Sequence, residues 1–262
     1  MRRSGVASGL IAAAFGAVLS LAQTASAHPT SADLAGKFAR GEYMTAALAA
    51  ETAAGADDMA FAARALLAQC MTGSSEPDLT LVERAQRDAE AALKIDPGHE
   101  EGRLQLAIAL SLKSRNMDAM AAWGAGYGEK GKKLAEEVLK SDPRNFYAHG
   151  FLAVWNVEVE RRGGGVGAWM LGASLDAARR HYDAARALAP DDVGVHWQYA
   201  RALAALDLNR YWNDVDAALT RAVAATAADH VEQVMQARAK QLLEALEAGN
   251  RDVAQKLARE ML

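Results

Sequence analysis

Apolar positions recur along this chain with the spacing of amphipathic helices, and alanine fills many of them, whereas runs of β-branched residues are absent from the sequence. The breaks between these stretches carry glycine, proline, aspartate or asparagine, as the chemistry of helix ends requires. The pattern predicts an all-α fold. The predicted helices span residues 31–40, 42–54, 57–72, 79–95, 99–114, 129–141, 144–161, 174–189, 192–207, 213–227, 229–247 and 250–261.

The first 27 residues differ from the rest of the chain. Two arginines follow Met1, an uncharged apolar run extends from about Gly5 to Ala22, and Ala25-Ser26-Ala27 forms a small-x-small exit. These features predict a cleaved secretory signal peptide at residues 1–27. A membrane-anchor helix is the alternative, since the run nearly reaches spanning length, but the small-residue exit favours cleavage. We therefore expect a single helical domain, residues 28–262, in the periplasm or outside the cell.

Three prolines, Pro97, Pro143 and Pro190, follow predicted helices and end them, because proline cannot continue the helical hydrogen-bond ladder. Each is surrounded by residues, most of them small, at the same four offsets. Twelve before lie Ala85, Gly131 and Ala178; eight before, Ala89, Ala135 and Tyr182; five before, Ala92, Val138 and Ala185; ten after, Ala107, Ala153 and Ala200. Small residues at fixed offsets let antiparallel helices approach closely, so the pattern predicts a structural repeat.

The offsets extend to two sites without proline and to a final half-repeat. Alanines surround Asp58 and Asp229 in the same way, at positions 46, 50, 53 and 68 for the first and 217, 224 and 239 for the second; Gly249, Ala254 and Ala258 follow. This arrangement resembles the tetratricopeptide repeat. The resemblance implies an α-solenoid of antiparallel helix pairs, a superhelix of about five to six repeats, in which stacked neighbours complete each other's core.

The repeats are longer than the family period of about 34 residues. The repeat ends fall at 58, 97, 143, 190 and 229, so successive spacings are 39, 46, 47 and 39 residues. The middle repeats carry similar insertions, in which Trp123 and Trp169 lie beside glycines, 20 or 21 residues before the closing proline. A solenoid displays such insertions on one face, so we expect the two to lie side by side.

Composition limits the possible partners. The chain has 29 basic and 33 acidic residues, and removal of the two signal-peptide arginines leaves 27 against 33, a net charge near −6. This argues against a nucleic-acid partner, which requires a basic surface. The single Cys70 stands in an apolar stretch and is interpreted as a buried small hydrophobe; a reactive or dimer-forming thiol is the alternative.

Apparent motifs for catalysis, cofactors and metals do not fit their sequence context. Gly126 to Gly131 satisfies G-x-G-x-x-G, but a helix is predicted before it instead of a strand, and Lys133 stands where a P-loop needs serine or threonine. No zinc-protease, cysteine-cluster or G-x-S-x-G motif occurs in the sequence. His149 and His196 both lie six residues after a proline and are interpreted as packing residues, with a joint ligand or metal contact as the alternative. We expect no enzyme, cofactor or metal site.

The resemblance also indicates a binding surface. In tetratricopeptide proteins, the first helices of successive repeats line a concave groove that binds peptides or partner helices. The corresponding positions here are Leu104, Ile108, Tyr147, Gly150, Val154, Trp197 and Arg201, and the insertions add Trp123 and Trp169. Tyr147, Val154, Trp197, Arg201, Trp123 and Trp169 are therefore the predicted partner-binding residues; for the tryptophans, core packing is the alternative.

Two functions follow from this surface. The first is a non-enzymatic periplasmic scaffold that binds a protein or peptide through its concave face. The alternative is a carrier of a small lipophilic ligand, because the irregular period and the Gly/Trp insertions weakly resemble the TRAP-transporter T-component, whose repeats enclose a hydrophobic pore. That family is typically lipid-anchored, whereas no cysteine lies near the signal-peptide junction here. An open groove would favour the scaffold, and a closed apolar tunnel the carrier; an enzyme with an unrecognised site is a third possibility.

Overall fold

The computed structural model describes residues 32–73, 76–115 and 117–261. Helices make up 82% of this part of the chain, and it contains no β-strand, so the predicted all-α fold is confirmed. The predicted signal peptide, residues 1–27, lies outside the described residues. Within the described ranges, no helix combines the length and the apolar character needed to span a membrane.

The described residues form thirteen helices. They are α1 (Ala32–Ala39), α2 (Tyr43–Ala53), α3 (Ala56–Thr72), α4 (Leu79–Ile95), α5 (Glu100–Arg115), α6 (Ala119–Gly124), α7 (Tyr127–Ser141), α8 (Phe146–Leu171), α9 (Leu175–Leu188), α10 (Val193–Asp207), α11 (Trp212–Ala224), α12 (His230–Glu247) and α13 (Arg251–Glu260). Helices adjacent in sequence pack against each other as neighbouring pairs.

The turns at Pro97, Pro143 and Pro190 share one hydrogen bond. The residue six positions after each proline donates to the proline carbonyl: Arg103 Nη2 at 2.8 Å, His149 Nε2 at 3.2 Å and His196 Nε2 at 2.8 Å. Because a carbonyl only accepts, Nε2 of each histidine carries a proton. Nδ1 of His196 lies 2.9 Å from Tyr182 Oη, and Nδ1 of His149 lies 2.9 Å from His181 Nδ1. Each histidine therefore stabilises the turn formed at the proline six residues before it.

Side-chain caps start the helices that follow these turns. Asn145 accepts from the Ala148 amide at 3.0 Å and begins α8, and Asp192 accepts from the Val195 amide at 2.7 Å and begins α10. Asp229 does the same for α12. Such caps satisfy amides that have no partner within the helix, so sequence chemistry alone fixes where these helices begin.

The small residues predicted around the three prolines are all buried, including Ala107, Ala153 and Ala200. Around Asp58 and Asp229 the pattern is less regular. Ala53, Ala217 and Ala224 are exposed, so the prediction of helix contact at these positions was wrong. Helix α11 buries Ala218 and Ala222 instead. Since successive helical residues are separated by about 100°, a shift of one position turns an alanine from the neighbouring helix toward solvent.

The two insertions are more helical than predicted. Helix α6 forms inside the first, at residues 119–124, and α8 continues to Leu171 where the sequence predicted an end at residue 161. Gly164 interrupts α8 with φ 58° and ψ −167°, a conformation that is essentially restricted to glycine. Each insertion thus carries a short helical segment that ends near its tryptophan.

The first helices of the successive pairs, α3, α5, α8, α10 and α12, each contact the next, and α12 also contacts α3. Two interactions support this closing contact. Tyr43 Oη lies 3.0 Å from His230 Nδ1, and the Arg238 guanidinium donates to the carbonyls of Met71 and Gly73. The five helices therefore form a ring, which we call the inner ring.

A cavity inside the helical ring

The inner ring surrounds a cavity of about 660 Å³ that is partly open to solvent. Side chains from all five inner helices line it, with further residues from α6 and α7. Pockets of roughly 300–1,000 Å³ are typical of sites for small organic molecules. The cavity is therefore the candidate functional site.

An apolar belt lines the middle of the cavity. It consists of Leu104, Ile108 and Leu112 from α5, Phe151, Val154 and Trp155 from α8, and Val195 from α10. Trp155 donates from Nε1 to the Gly128 carbonyl at 2.9 Å, and Lys132 Nζ lies 5.3 Å from the centre of the indole ring. With its one polar atom satisfied, the indole offers an apolar surface to the cavity.

One end of the cavity, which we call the acidic end, is built from the beginnings of the inner helices. Arg64 Nε donates to Glu101 Oε1 at 2.6 Å, and Gln105 donates to the same oxygen at 2.7 Å. Burial alone would lower the pKa of Arg64, but the charge of Glu101 and their hydrogen bond outweigh it and raise the pKa. This ion pair therefore stays charged.

Three further carboxylates belong to the acidic end: Asp192, Asp229 and Glu232. The two aspartates cap their own helices, and Glu232 Oε2 accepts from the Ala228 amide at 2.7 Å. Burial raises the pKa of Glu232 to about 7, with a further contribution from the negative charges of Asp192 and Asp229. Tyr147 lies near this group, and its side chain is half exposed to solvent.

The opposite part of the cavity, which we call the basic end, holds Arg115, Arg161, Arg162 and Arg201 around Glu158. Glu129, at the start of α7, is a further carboxylate of the lining. Glu158 Oε1 lies 3.2 Å from Arg201 Nη2, and its Oε2 accepts from Arg161 Nε at 2.8 Å. Burial opposes ionisation of Glu158, but the charge of Arg201 in particular lowers its pKa. Burial, assisted by the charge of Arg201, lowers the pKa of Arg115 to about 10.

The two insertions lie at the cavity. Met120 and Trp123 of α6, with Val166 and Met170 of α8, line it and are also exposed to solvent. These four residues form an apolar mouth. Trp169 is 84% exposed and does not line the cavity.

The structure brings four of the six predicted binding residues to the cavity: Tyr147, Val154, Arg201 and Trp123. Leu104, Ile108 and Gly150, which the resemblance placed in the groove, also line it. Trp197 is completely buried in the hydrophobic core, as in the alternative interpretation of the tryptophans, and Trp169 lies outside the cavity.

Comparison with known proteins adds no assignment to this geometry. No protein-family model matches the chain, and no curated protein matches it. The tetratricopeptide resemblance and the weaker resemblance to the T-component therefore remain predictions.

The other residues and motifs that the sequence offered as candidates for chemistry lie in surroundings that indicate structural roles. Burial raises the pKa of the Cys70 thiol to about 11, which disfavours the thiolate needed for reactivity. Gly126 caps the start of α7 with φ 66°, and helix α6 precedes it where a nucleotide-binding loop requires a strand. Among the described residues, no group of three or more histidine, cysteine, aspartate or glutamate side chains is arranged to hold a metal ion.

The sequence analysis found only Arg201 of the basic end, although a signal for its other residues exists. Val154 was predicted to line the groove, and the same helical stripe continues four, seven and eight residues later with Glu158, Arg161 and Arg162. On α5 the stripe from Ile108 continues seven residues later to Arg115. Residues at these spacings share one helix face. Extending the two predicted stripes would therefore have found Glu158 and the three arginines that were missed.

Proposed function

We propose that this protein is a non-enzymatic carrier that binds one small lipophilic ligand inside a tetratricopeptide-like array closed into a ring. The cavity of about 660 Å³ with its apolar belt is the observation on which the proposal rests. The weak resemblance to the TRAP-transporter T-component, whose repeats enclose a hydrophobic pore, supports the same function. With the signal peptide at residues 1–27, the carrier would act in the periplasm or outside the cell.

Closure of the ring favours a carrier over a peptide-binding scaffold. A peptide lying along a concave face needs that face to be open at both edges of the array. Here α12 contacts α3, and Arg238 joins the carbonyls of Met71 and Gly73 across the closing contact. The surface that an open array would offer to a peptide is thus turned into the wall of a cavity.

Apolar burial alone gives such a carrier modest affinity. A ligand that loses about 300 Å² of apolar surface gains about 7 kcal/mol at roughly 25 cal/mol per Å². Immobilising the ligand costs about 4 kcal/mol or more. Strong binding therefore requires a polar anchor in addition to the belt.

Native mass spectrometry of the protein purified from its own cells tests the carrier. We expect a retained small molecule, and we expect Val154→Trp, which fills the belt, to lose it. Val253→Trp on the exposed surface of α13 is the matched control and should retain it. A polypeptide mass without any adduct, in the parent chain as well as in both variants, would contradict the proposal.

The protein or peptide scaffold remains the second candidate, because the insertions expose large apolar side chains. Met120, Val166 and Trp169 are 71%, 72% and 84% exposed. An isolated apolar residue on a surface is ordinary, whereas several together indicate an interaction site. The scaffold function would be favoured if the purified chain carried no small molecule but co-purified with one defined protein, and if Trp169→Ser abolished that co-purification.

A further inference from the structure

The two ends of the cavity differ in charge, and this difference indicates which ligands it takes. At the basic end four guanidinium groups surround Glu158, and Glu129 at the start of α7 is a further carboxylate of the lining. We propose that the cavity binds an anionic amphiphile, with a carboxylate-type head at the basic end and an apolar chain along the belt. The inference rests on the proposed carrier function and names its ligand class.

Two of the arginines donate only to neutral groups among the described residues. Arg115 donates from Nη2 to the carbonyls of Arg259 and Met261, both at 2.9 Å, and Arg162 donates to the Met117 carbonyl and to Ser114 Oγ. Within the described ranges neither forms an ion pair, whereas Arg161 and Arg201 share Glu158. A guanidinium has five N–H donors in a planar fork that suits a carboxylate. The basic end therefore retains donors for an anion.

The positive charges also repel one another. Burial lowers the pKa of Arg162, and the charge of Arg161 lowers it further. Burial and the charge of Arg201 lower the pKa of Arg115 in the same way, and the charge of Glu158 opposes the lowering at both arginines without cancelling it. An anion bound among these groups would offset the free-energy cost of burying the guanidinium charges and would reduce their mutual repulsion.

Helix dipoles offset only part of this excess. The partial negative charge of a helix acts within its last turn. Arg115 is the last residue of α5, and Arg161 and Arg162 lie in the turn before Gly164, where the helical conformation of α8 is interrupted, so these three groups have partial compensation. Arg201 lies six residues before the end of α10, outside its last turn.

The acidic end is less suited to a charged head. Asp192 and Asp229 are hydrogen-bonded to helix amides, and Glu101 is paired with Arg64. A helix start stabilises negative charge, and the raised pKa of Glu232 leaves it partly protonated near neutral pH. Helix amides offset part of the charge of Asp192 and Asp229, and Glu232 is partly neutral, so we expect a cation to gain less here than an anion gains at the opposite end.

Three probes with the same ten-carbon chain and different heads test the inference by calorimetry on the purified full chain at pH 7.5, below their micelle concentrations. They are decanoate, decyltrimethylammonium and 1-decanol. We expect decanoate to bind with one-to-one stoichiometry, at least tenfold more tightly than the other two. The preference should weaken as salt is added, because the head-group contribution is electrostatic.

Substitutions separate the charge from the fold. Arg162→Gln and, independently, Arg161→Gln should weaken decanoate binding at least fivefold and leave decanol binding unchanged. Glu158→Gln removes the carboxylate that pairs with Arg161 and Arg201 and should tighten decanoate binding at least threefold. The control is Arg179→Gln, since Arg179 pairs with Asp214 and does not line the cavity; it should change neither affinity.

The possible failures are distinguishable. Equal affinities for all three probes, unchanged by Arg162→Gln and Arg161→Gln, would overturn the anion preference while the carrier function stands. A tighter complex with decyltrimethylammonium would overturn it as well. If none of the probes binds and the protein from its own cells carries no small molecule, the carrier function falls too.

Discussion

Asp88 in α4 is a buried carboxyl group whose Oδ2 has no hydrogen-bond partner within the described structure. The neighbouring Glu51 is paired with Arg84, whose Nε donates to it at 2.6 Å. Burial raises the pKa of Asp88 to about 7, and the negative charge of Glu51 raises it further. When protonated, Asp88 can donate to Glu51, which accounts for both the orphaned oxygen and the raised pKa.

We expect Asp88→Asn to stabilise the fold at pH 8 by about 1–3 kcal/mol, the usual cost of an unsatisfied buried polar group. A carboxyl group whose pKa is higher in the folded state loses stability as pH rises from about 4 to 7. The gain should therefore be much smaller at pH 5, where Asp88 is protonated. Urea unfolding at both pH values measures it, with the exposed Asp252→Asn as control. A gain of equal size at both values would contradict the assigned pKa.

At the scale of helices, α11 distinguishes the predicted register from the observed one. Ala217 was predicted to lie at a helix contact but is exposed, whereas the adjacent Ala218 is buried. Close packing leaves no room for a larger side chain at the buried position.

We expect Ala218→Leu to destabilise the protein by about 1–3 kcal/mol through overpacking. Ala217→Leu should change stability by less than about 0.5 kcal/mol, as is usual for an exposed site. Thermal or urea unfolding of the two variants provides the comparison, and each serves as the control for the other. The reverse order would restore the register predicted from Asp229.

Local signals account for what the sequence predicted correctly. Proline ends, side-chain caps and small residues at fixed offsets each act within a few turns of one helix pair, and they located most helices and the buried positions around Pro97, Pro143 and Pro190. The glycines from Gly163 to Gly167 have low helix propensity and indicated a break, and the helical conformation of α8 is interrupted at Gly164. The helical segment that follows, to Leu171, was not predicted.

The candidate site was predicted only in part, for a similar reason. Periodicity identified Tyr147 and Val154 on a common face. The contact between Tyr43 and His230 joins residues 187 positions apart, so no local pattern indicates it. Without that contact, a groove and an enclosed cavity have the same sequence signature.

At the scale of the whole molecule, Gly41 lies at the closing contact. It has φ 82°, and a Cβ atom at this position would come within 2.7 Å of Nδ1 and 2.9 Å of Cγ in His230. The His230 side chain is hydrogen-bonded to Tyr43, so its imidazole cannot move aside without loss of that hydrogen bond.

We expect Gly41→Ala to destabilise the protein by about 1–3 kcal/mol more than Gly249→Ala, because it adds a steric clash at the closing contact. Gly249 has a similar φ of 73°, but a Cβ atom there would meet nothing within 4 Å, so this position controls for backbone strain alone. Hydrogen exchange should also quicken in α1 and α12 of the Gly41 variant only. Equal losses in both variants, with unchanged exchange, would show that the closing contact contributes little.

Closure also fixes how many helix pairs the molecule can contain. An open array tolerates duplication or loss of a unit, since every interior unit meets only its two neighbours. Here α12 must arrive beside α3 for Tyr43 to reach His230, so an additional pair would carry the terminal helices past one another. Substitutions can therefore change the cavity lining one residue at a time, whereas insertion or loss of a whole helix pair would separate α12 from α3 and open the ring.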